Sequence, residues 1–133
     1  MWAGAAATPH LAADAMVRIA FASGIGVLGL CFGAAGFFAF GRAGTTIDPV
    51  KLERASVLVT SGIFQISRNP MYVGFALLLS SWAIYLAAPW TLLGTAVFML
   101  FTARYQIAPE ERVLREKFGR SYEDYQKRVR RWI

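Results

Sequence analysis

Three long apolar runs constrain this chain more than any other feature: about Val17 to Phe40, Met71 to Ala88, and Trp90 to about Ile107. Each approaches the roughly 20 apolar residues a helix needs to cross the hydrocarbon core of a bilayer. Backbone groups in hydrocarbon find no water, so a single apolar run satisfies them only as a helix. Of 133 residues, 56% are hydrophobic, and the 17% that are charged crowd between and after the runs. A soluble domain of this size would alternate apolar and polar positions more evenly. The expectation is an all-α integral membrane bundle forming one domain over residues 1–133. It has three transmembrane helices at about 17–40, 71–88 and 90–107, a connecting loop at 41–69 and a tail at 108–133.

Details within the runs refine this picture. In the first, Ala22, Gly26, Gly29, Gly33 and Gly36 recur at spacings of four, three, four and three. That places five small residues on one helical face, where another helix can approach closely. No lysine follows these glycines, so they do not form a phosphate loop. Cys31 in the same run reads as a small packing residue and can form no disulfide within one chain. The second and third runs are separated only by Ala88-Pro89-Trp90. Pro89 breaks the helix and Trp82, Tyr85 and Trp90 suit a membrane interface, which predicts a tight helical hairpin. The N-terminus lacks a basic region followed by a cleavable apolar core, so no signal peptide is expected.

The formal charge of +6 does not indicate nucleic acid. Every Lys and Arg except Arg18 falls in the 41–69 loop, at Arg104 or in the tail. The positive-inside rule then places loop and tail in the cytoplasm and the N-terminus and the Pro89 turn outside. Acids interleave with the tail's basic residues, as in a folded amphipathic segment. Pro109-Glu110-Glu111 reads as a helix start, and Ser121 with Asp124 as a second capping box after Gly119. Leu114, Phe118, Tyr122, Tyr125, Val129 and Trp132 form an apolar stripe that can pack beneath the bundle or lie among headgroups. His10, the one histidine, precedes any clear element, and no metal-ligand cluster is visible, so no metal is expected.

Polar chemistry gathers at two places. At the start of the second run, Ser67-Arg68-Asn69-Pro70 sets a charge and a turn against an apolar helix, with Asn69 as N-cap and Pro70 as first helical residue. Just past the third run stand Glu110 and Glu111. A hairpin brings these two sites side by side. Free N–H groups at a helix start and a guanidinium suit a carboxylate. Paired Glu side chains suit hydroxyls or an ammonium. Together they describe a site for a zwitterionic, ribose-bearing small molecule over an apolar floor. In isolation Arg68 would read as a positive-inside anchor, and Glu110 and Glu111 as ordinary helix-start acids.

SRNPMYVGF (residues 67–75) followed by EERVLREKFGRSYEDYQKRV (residues 110–129) resembles the membrane methyltransferases of the isoprenylcysteine carboxyl methyltransferase and phospholipid methyltransferase group. Those proteins carry an R-H/N-P-x-Y-x-G motif, a hairpin, then E-E-x-x-L, F-G-x-x-Y and Y-x-x-x-V. The matching positions are Arg68, Asn69, Pro70, Tyr72, Gly74, Glu110, Glu111, Leu114, Phe118, Gly119, Tyr122, Tyr125 and Val129. The segment from Ala43 to Gln65 also looks like bacterial members. The resemblance implies a bacterial inner-membrane enzyme with S-adenosylmethionine held at the cytoplasmic face by Arg68, Asn69, Pro70, Tyr72, Gly74, Glu110 and Glu111. It implies methyl transfer to a lipophilic acceptor, a carboxylate, amine or thiol on a prenylated or lipid substrate. Arg104 lies near where related carboxyl methyltransferases keep an acceptor-orienting arginine. Asn69 stands where histidine is frequent, and Met1 to Ala15 precede the first run where members commonly carry another helix. The rival readings are a sterol-type, NADPH-dependent reductase, which shares a similar helix start, and a non-enzymatic helical membrane module. Neither the acceptor nor the oligomeric state follows from the sequence.

Overall fold

The computed structural model describes residues 9–44, 58–88 and 90–133, with side chains from residue 14 onward. Every element among them is helical: α1 (Pro9–Ala43), a short 3-10 turn (Gly62–Gln65), α2 (Pro70–Leu86), α3 (Thr91–Thr102), a π turn (Ala103–Ile107), α4 (Ala108–Phe118) and α5 (Arg120–Arg128). Among the described residues one helix, over Asp14–Ala43, is long and apolar enough to cross a membrane. The apolar surface is largely uncovered: Phe21 on α1 is 66% exposed and Leu100 on α3 is 72% exposed. Pro89, Lys51 and Arg54 lie outside the described residues, as does the side chain of His10.

Helix α1 starts at Pro9, earlier than the hydropathy pattern predicts. The Ala-rich stretch before Val17 has high helix propensity, which accounts for the extension. The helix packs antiparallel to α2 through the predicted small-residue face. A Cβ on Gly29 would lie 2.9 Å from the Gly74 carbonyl oxygen, and one on Gly36 would lie 2.9 Å from Met71. Reciprocally, a Cβ on Gly74 would lie 2.7 Å from the Gly29 carbonyl oxygen and 2.9 Å from the Gly33 nitrogen. Ser81 donates its hydroxyl to the Ala22 carbonyl across the same interface, at 2.6 Å. Cys31 does not share this packing. It is a free, exposed cysteine, because its place between Gly29 and Gly33 turns it off the α2-facing stripe.

The second apolar run ends as a helix at Leu86, two residues short of its predicted limit. Ala87 caps it in the left-handed region, with φ at 53°. Ala88, which precedes Pro89, is also biased away from helical backbone. The third run departs further from expectation. Residues 90–107 do not form one helix followed by a new start at Pro109. Instead α3 passes through the π turn into α4 without leaving helical backbone angles, and the Ala108 N–H reaches back to the Ala103 carbonyl. Proline at 109 cannot donate to the carbonyl four residues earlier and its ring crowds that carbonyl. The wider π turn relieves the conflict without ending the helix. Glu110 and Glu111 therefore sit on a helix continuous with α3.

Gly119 lies at φ 54° and ψ −125°, and there the chain breaks α4 from α5. Residues that carry a side chain avoid this backbone conformation. Because Gly119 turns so sharply, α5 resumes at Arg120. Ser121 therefore falls inside the helix, and the predicted capping box does not form. The tail's stripe packs inward: Tyr122, Tyr125 and Val129 join Val59 and Phe64 in a core, flanked by Leu114, Phe118 and the Ala39–Phe40–Ala43 end of α1. The rings of Phe40 and Phe64 meet edge-to-face with centroids 5.2 Å apart. That arrangement sets the positive edge of one ring against the negative face of the other.

The α1–α2 approach yields a prediction. Gly74→Val should lower unfolding stability in micelles by about 1–3 kcal/mol, the usual cost of overpacking. Gly94→Ala, at a position with nothing within 4 Å, should leave it unchanged or raise it. Thermal unfolding followed by far-ultraviolet circular dichroism reads both.

Candidate functional site

The residues before α2 are ordered by a buried serine. Ser67 is fully buried, and its hydroxyl accepts the backbone N–H of Asn69 at 3.1 Å. Asn69 is the N-cap residue of α2, as expected, but its side chain does not cap. Its amide nitrogen instead donates to the Arg131 carbonyl at 2.9 Å, near the C-terminus. Pro70 opens the helix, and the Val73 N–H makes the first backbone return, to the Asn69 carbonyl at 3.0 Å.

Arg68 reaches α4. Its Nη1 donates to Glu111 Oε1 at 2.8 Å, with the two side chains only 12% and 10% exposed. Arg131 grips the same carboxylate from the solvent side, Nε to Oε1 at 3.0 Å and Nη2 to Oε2 at 2.7 Å. Both oxygens of Glu111 are thus occupied, one by two guanidiniums. Its hydrogen bonds to the Glu111 carboxylate raise the Arg131 guanidinium pKa further. Tyr122 is buried beside the cluster. Burial first, and the Glu111 charge second, push its hydroxyl pKa up, so it stays protonated.

Glu110 has a different environment. The Tyr72 hydroxyl donates to Glu110 Oε1 at 2.8 Å. Burial pushes the Glu110 carboxyl above the usual carboxylate range; the Tyr72 hydrogen bond opposes this and the neighbouring Glu111 charge reinforces it. No guanidinium pairs with Glu110 among the described residues, and its second oxygen takes no hydrogen bond from them.

Six of the residues singled out from the sequence therefore come together at one end of the helices: Arg68, Asn69, Pro70, Tyr72, Glu110 and Glu111. Gly74 lies one turn into α2, where the close approach it permits is that of α1. Arg104 is not part of the cluster. It sits exposed on the π turn with no hydrogen bond or ion pair among the described residues. Sequence reasoning places Ser67 in the turn before α2 without its buried role, and it misses Arg131. Arg131 looks like any other member of the basic tail, and only its paired hydrogen bonds to Glu111 set it apart. Among the described residues no group of His, Cys, Asp and Glu could hold a metal.

Comparison with known proteins adds a lineage to this geometry. The chain is 40% identical over 63 residues to an uncharacterized protein of Haemophilus influenzae, a match covering 47% of this chain and all of that protein. It is 34% identical over 89 residues to protein-S-isoprenylcysteine O-methyltransferase B of Arabidopsis thaliana, covering 67% of this chain and 45% of that protein. With protein-S-isoprenylcysteine O-methyltransferase of Dictyostelium discoideum it shares 40% identity over 75 residues, 55% of this chain and 31% of that protein. The chain thus spans less than half the length of these two named relatives. No solved structure matches it. The sequence model of phospholipid methyltransferase matches residues 17–121, which includes Arg68, Tyr72, Glu110 and Glu111 and stops short of Arg131. By that match, which runs from α1 into α5, the chain belongs to the phospholipid methyltransferase family.

Proposed function

We propose that this chain transfers a methyl group from S-adenosylmethionine to a lipophilic acceptor at the cytoplasmic face of a bacterial inner membrane. The observation that carries the reading is the pairing of Arg68 with Glu111 and of Tyr72 with Glu110, which joins the two motifs of the family across the fold. The residues suit this donor. Glu110 keeps a carboxylate oxygen for ribose hydroxyls or an ammonium. Arg68 has a buried Nε with no partner among the described residues. The start of α2 offers N–H groups ahead of the first helical return.

In this reading α1, α2 and α3 with its π turn are three spans in a single domain, and α2 and α3 form a hairpin. The N-terminus lies outside, and α4 and α5 lie in the cytoplasm. Helix α2 has 17 residues. That falls at the short end of what a bilayer core requires, so it would thin the bilayer locally or draw flanking polar residues toward the surface. The sulfonium of the donor supplies an already activated methyl group. The protein's own task is then orientation and exclusion of water. Glu110 and the α2 start hold the donor, and the exposed apolar sides of α2 and α3 admit the acceptor from the lipid. Arg104, at the membrane boundary, would meet an acceptor carboxylate.

Three measurements test this. Purified chain in nanodiscs should bind S-adenosylmethionine and transfer labelled methyl to extracted lipids or prenylated thiols; tight NADPH binding without donor binding would overturn the proposal. Glu110→Gln should weaken donor binding about tenfold with folding intact, the loss of one charge-assisted contact. Glu111→Ala should also destabilise the fold by about 3–5 kcal/mol, because it strands the buried Arg68 charge. The third is pH dependence. The raised Glu110 pKa means the folded protein holds this proton above the ordinary carboxylate range. Its contribution to stability is therefore complete at low pH and is lost as pH rises through the folded pKa. A ligand that needs the carboxylate behaves oppositely: its affinity falls as pH drops through that raised value, and Glu110→Gln abolishes the dependence.

A further inference from the structure

The C-terminal segment is stitched to the start of α2 at two points and to α4 at a third. The Arg68 N–H donates to the Arg130 carbonyl at 3.0 Å. The Asn69 amide donates to the Arg131 carbonyl. The Arg131 side chain closes on Glu111 with two hydrogen bonds. Helix α5 delivers this strap: the Tyr125 hydroxyl donates to the Phe64 carbonyl at 2.6 Å, and Val129 ends the helix in extended backbone. Residues 129–131 therefore run alongside 67–69 and tie the far end of the chain to the helix start.

The strap divides the labour of the two adjacent glutamates. Glu111 is enclosed, with both oxygens used by Arg68 and Arg131. Glu110 is not, and among the described residues only the Tyr72 hydroxyl holds it. We propose that Arg131 is a positioning residue for the donor site: it occupies the outer side of the Glu111 carboxylate, so that Glu111 holds Arg68 in place and Glu110 alone is left to the ligand. A fork-shaped guanidinium suits the task because it engages both carboxylate oxygens at once, which the point charge of a lysine does not. Asn69 serves the same strap through the Arg131 carbonyl. In this chain its amide faces the backbone of the strap.

The inference rests on the methyl-donor reading, and the test separates the two. Wild type, Arg131→Lys and Arg131→Ala are compared in nanodiscs for thermal unfolding, donor affinity and methyl-transfer kinetics. Arg131→Lys keeps the charge and should unfold near the wild-type midpoint. It should raise the donor KM about tenfold while kcat at saturating donor and the acceptor KM stay within about twofold, the signature of lost donor positioning. Arg131→Ala should show a larger donor effect and a lower midpoint; if it does not fold, Arg131→Lys carries the test. A wild-type donor KM in Arg131→Lys overturns the proposal, as does a loss that falls on kcat or on the acceptor KM. Absence of donor binding in the wild type itself removes the methyl-donor reading, and with it this role for Arg131.

Discussion

The Glu111 carboxylate, enclosed between Arg68 and Arg131, is the contact on which the polar end of this protein depends. It joins the segment before α2, the first turn of α4 and the C-terminal strap, three segments far apart in sequence. A buried charge is costly unless paired and hydrogen-bonded. Here the carboxylate has partners for both oxygens, and Arg68 has a carboxylate at 2.8 Å. Removing one member strands another, so the three residues act as a unit and not as three separate anchors.

Around that unit, two kinds of packing fix the frame. Along α1 and α2, glycines and one alanine let the backbones approach until a single added Cβ would collide with a carbonyl. In lipid, where apolar contact between helices gives no advantage over contact with acyl chains, such close fitting is a main source of association. At the polar end the logic is that of a soluble core: Tyr122, Tyr125 and Val129 turn inward onto Phe64 and the end of α1. The polar cluster sits where these two regimes meet. Glu110 therefore faces a half-buried setting that raises its pKa, while Tyr122 beside it remains protonated.

The π turn between α3 and α4 shows how one residue can alter a site's construction. Pro109 suggested a break and a fresh helix start, with Glu110 and Glu111 as first-turn acids. The helix instead continues by widening, so the two glutamates are carried on an element continuous with the apolar α3. Arg104 sits on that turn, exposed and apart from the cluster. The extra residue of a π turn shifts the facing of side chains on either side, and simple heptad spacing from Arg104 to Glu111 no longer describes their relation.

The sequence by itself determined the helical class, the small-residue face of α1 and the meeting of the Arg68–Tyr72 segment with Glu110 and Glu111. Each of these follows from local spacing: long apolar runs, repeats of three and four, and a short connection between the second and third runs. Tertiary structure alone decided which glutamate is enclosed and which is open, since Glu110 and Glu111 are neighbours of identical chemistry and differ only in the side of α4 they face. It also decided that Arg131, one of many basic residues in the tail, is the one that closes on Glu111. Charge composition does not distinguish arginines. The half-buried contact of Arg131 with Glu111 does, and that contact depends on where the far end of the chain comes to rest.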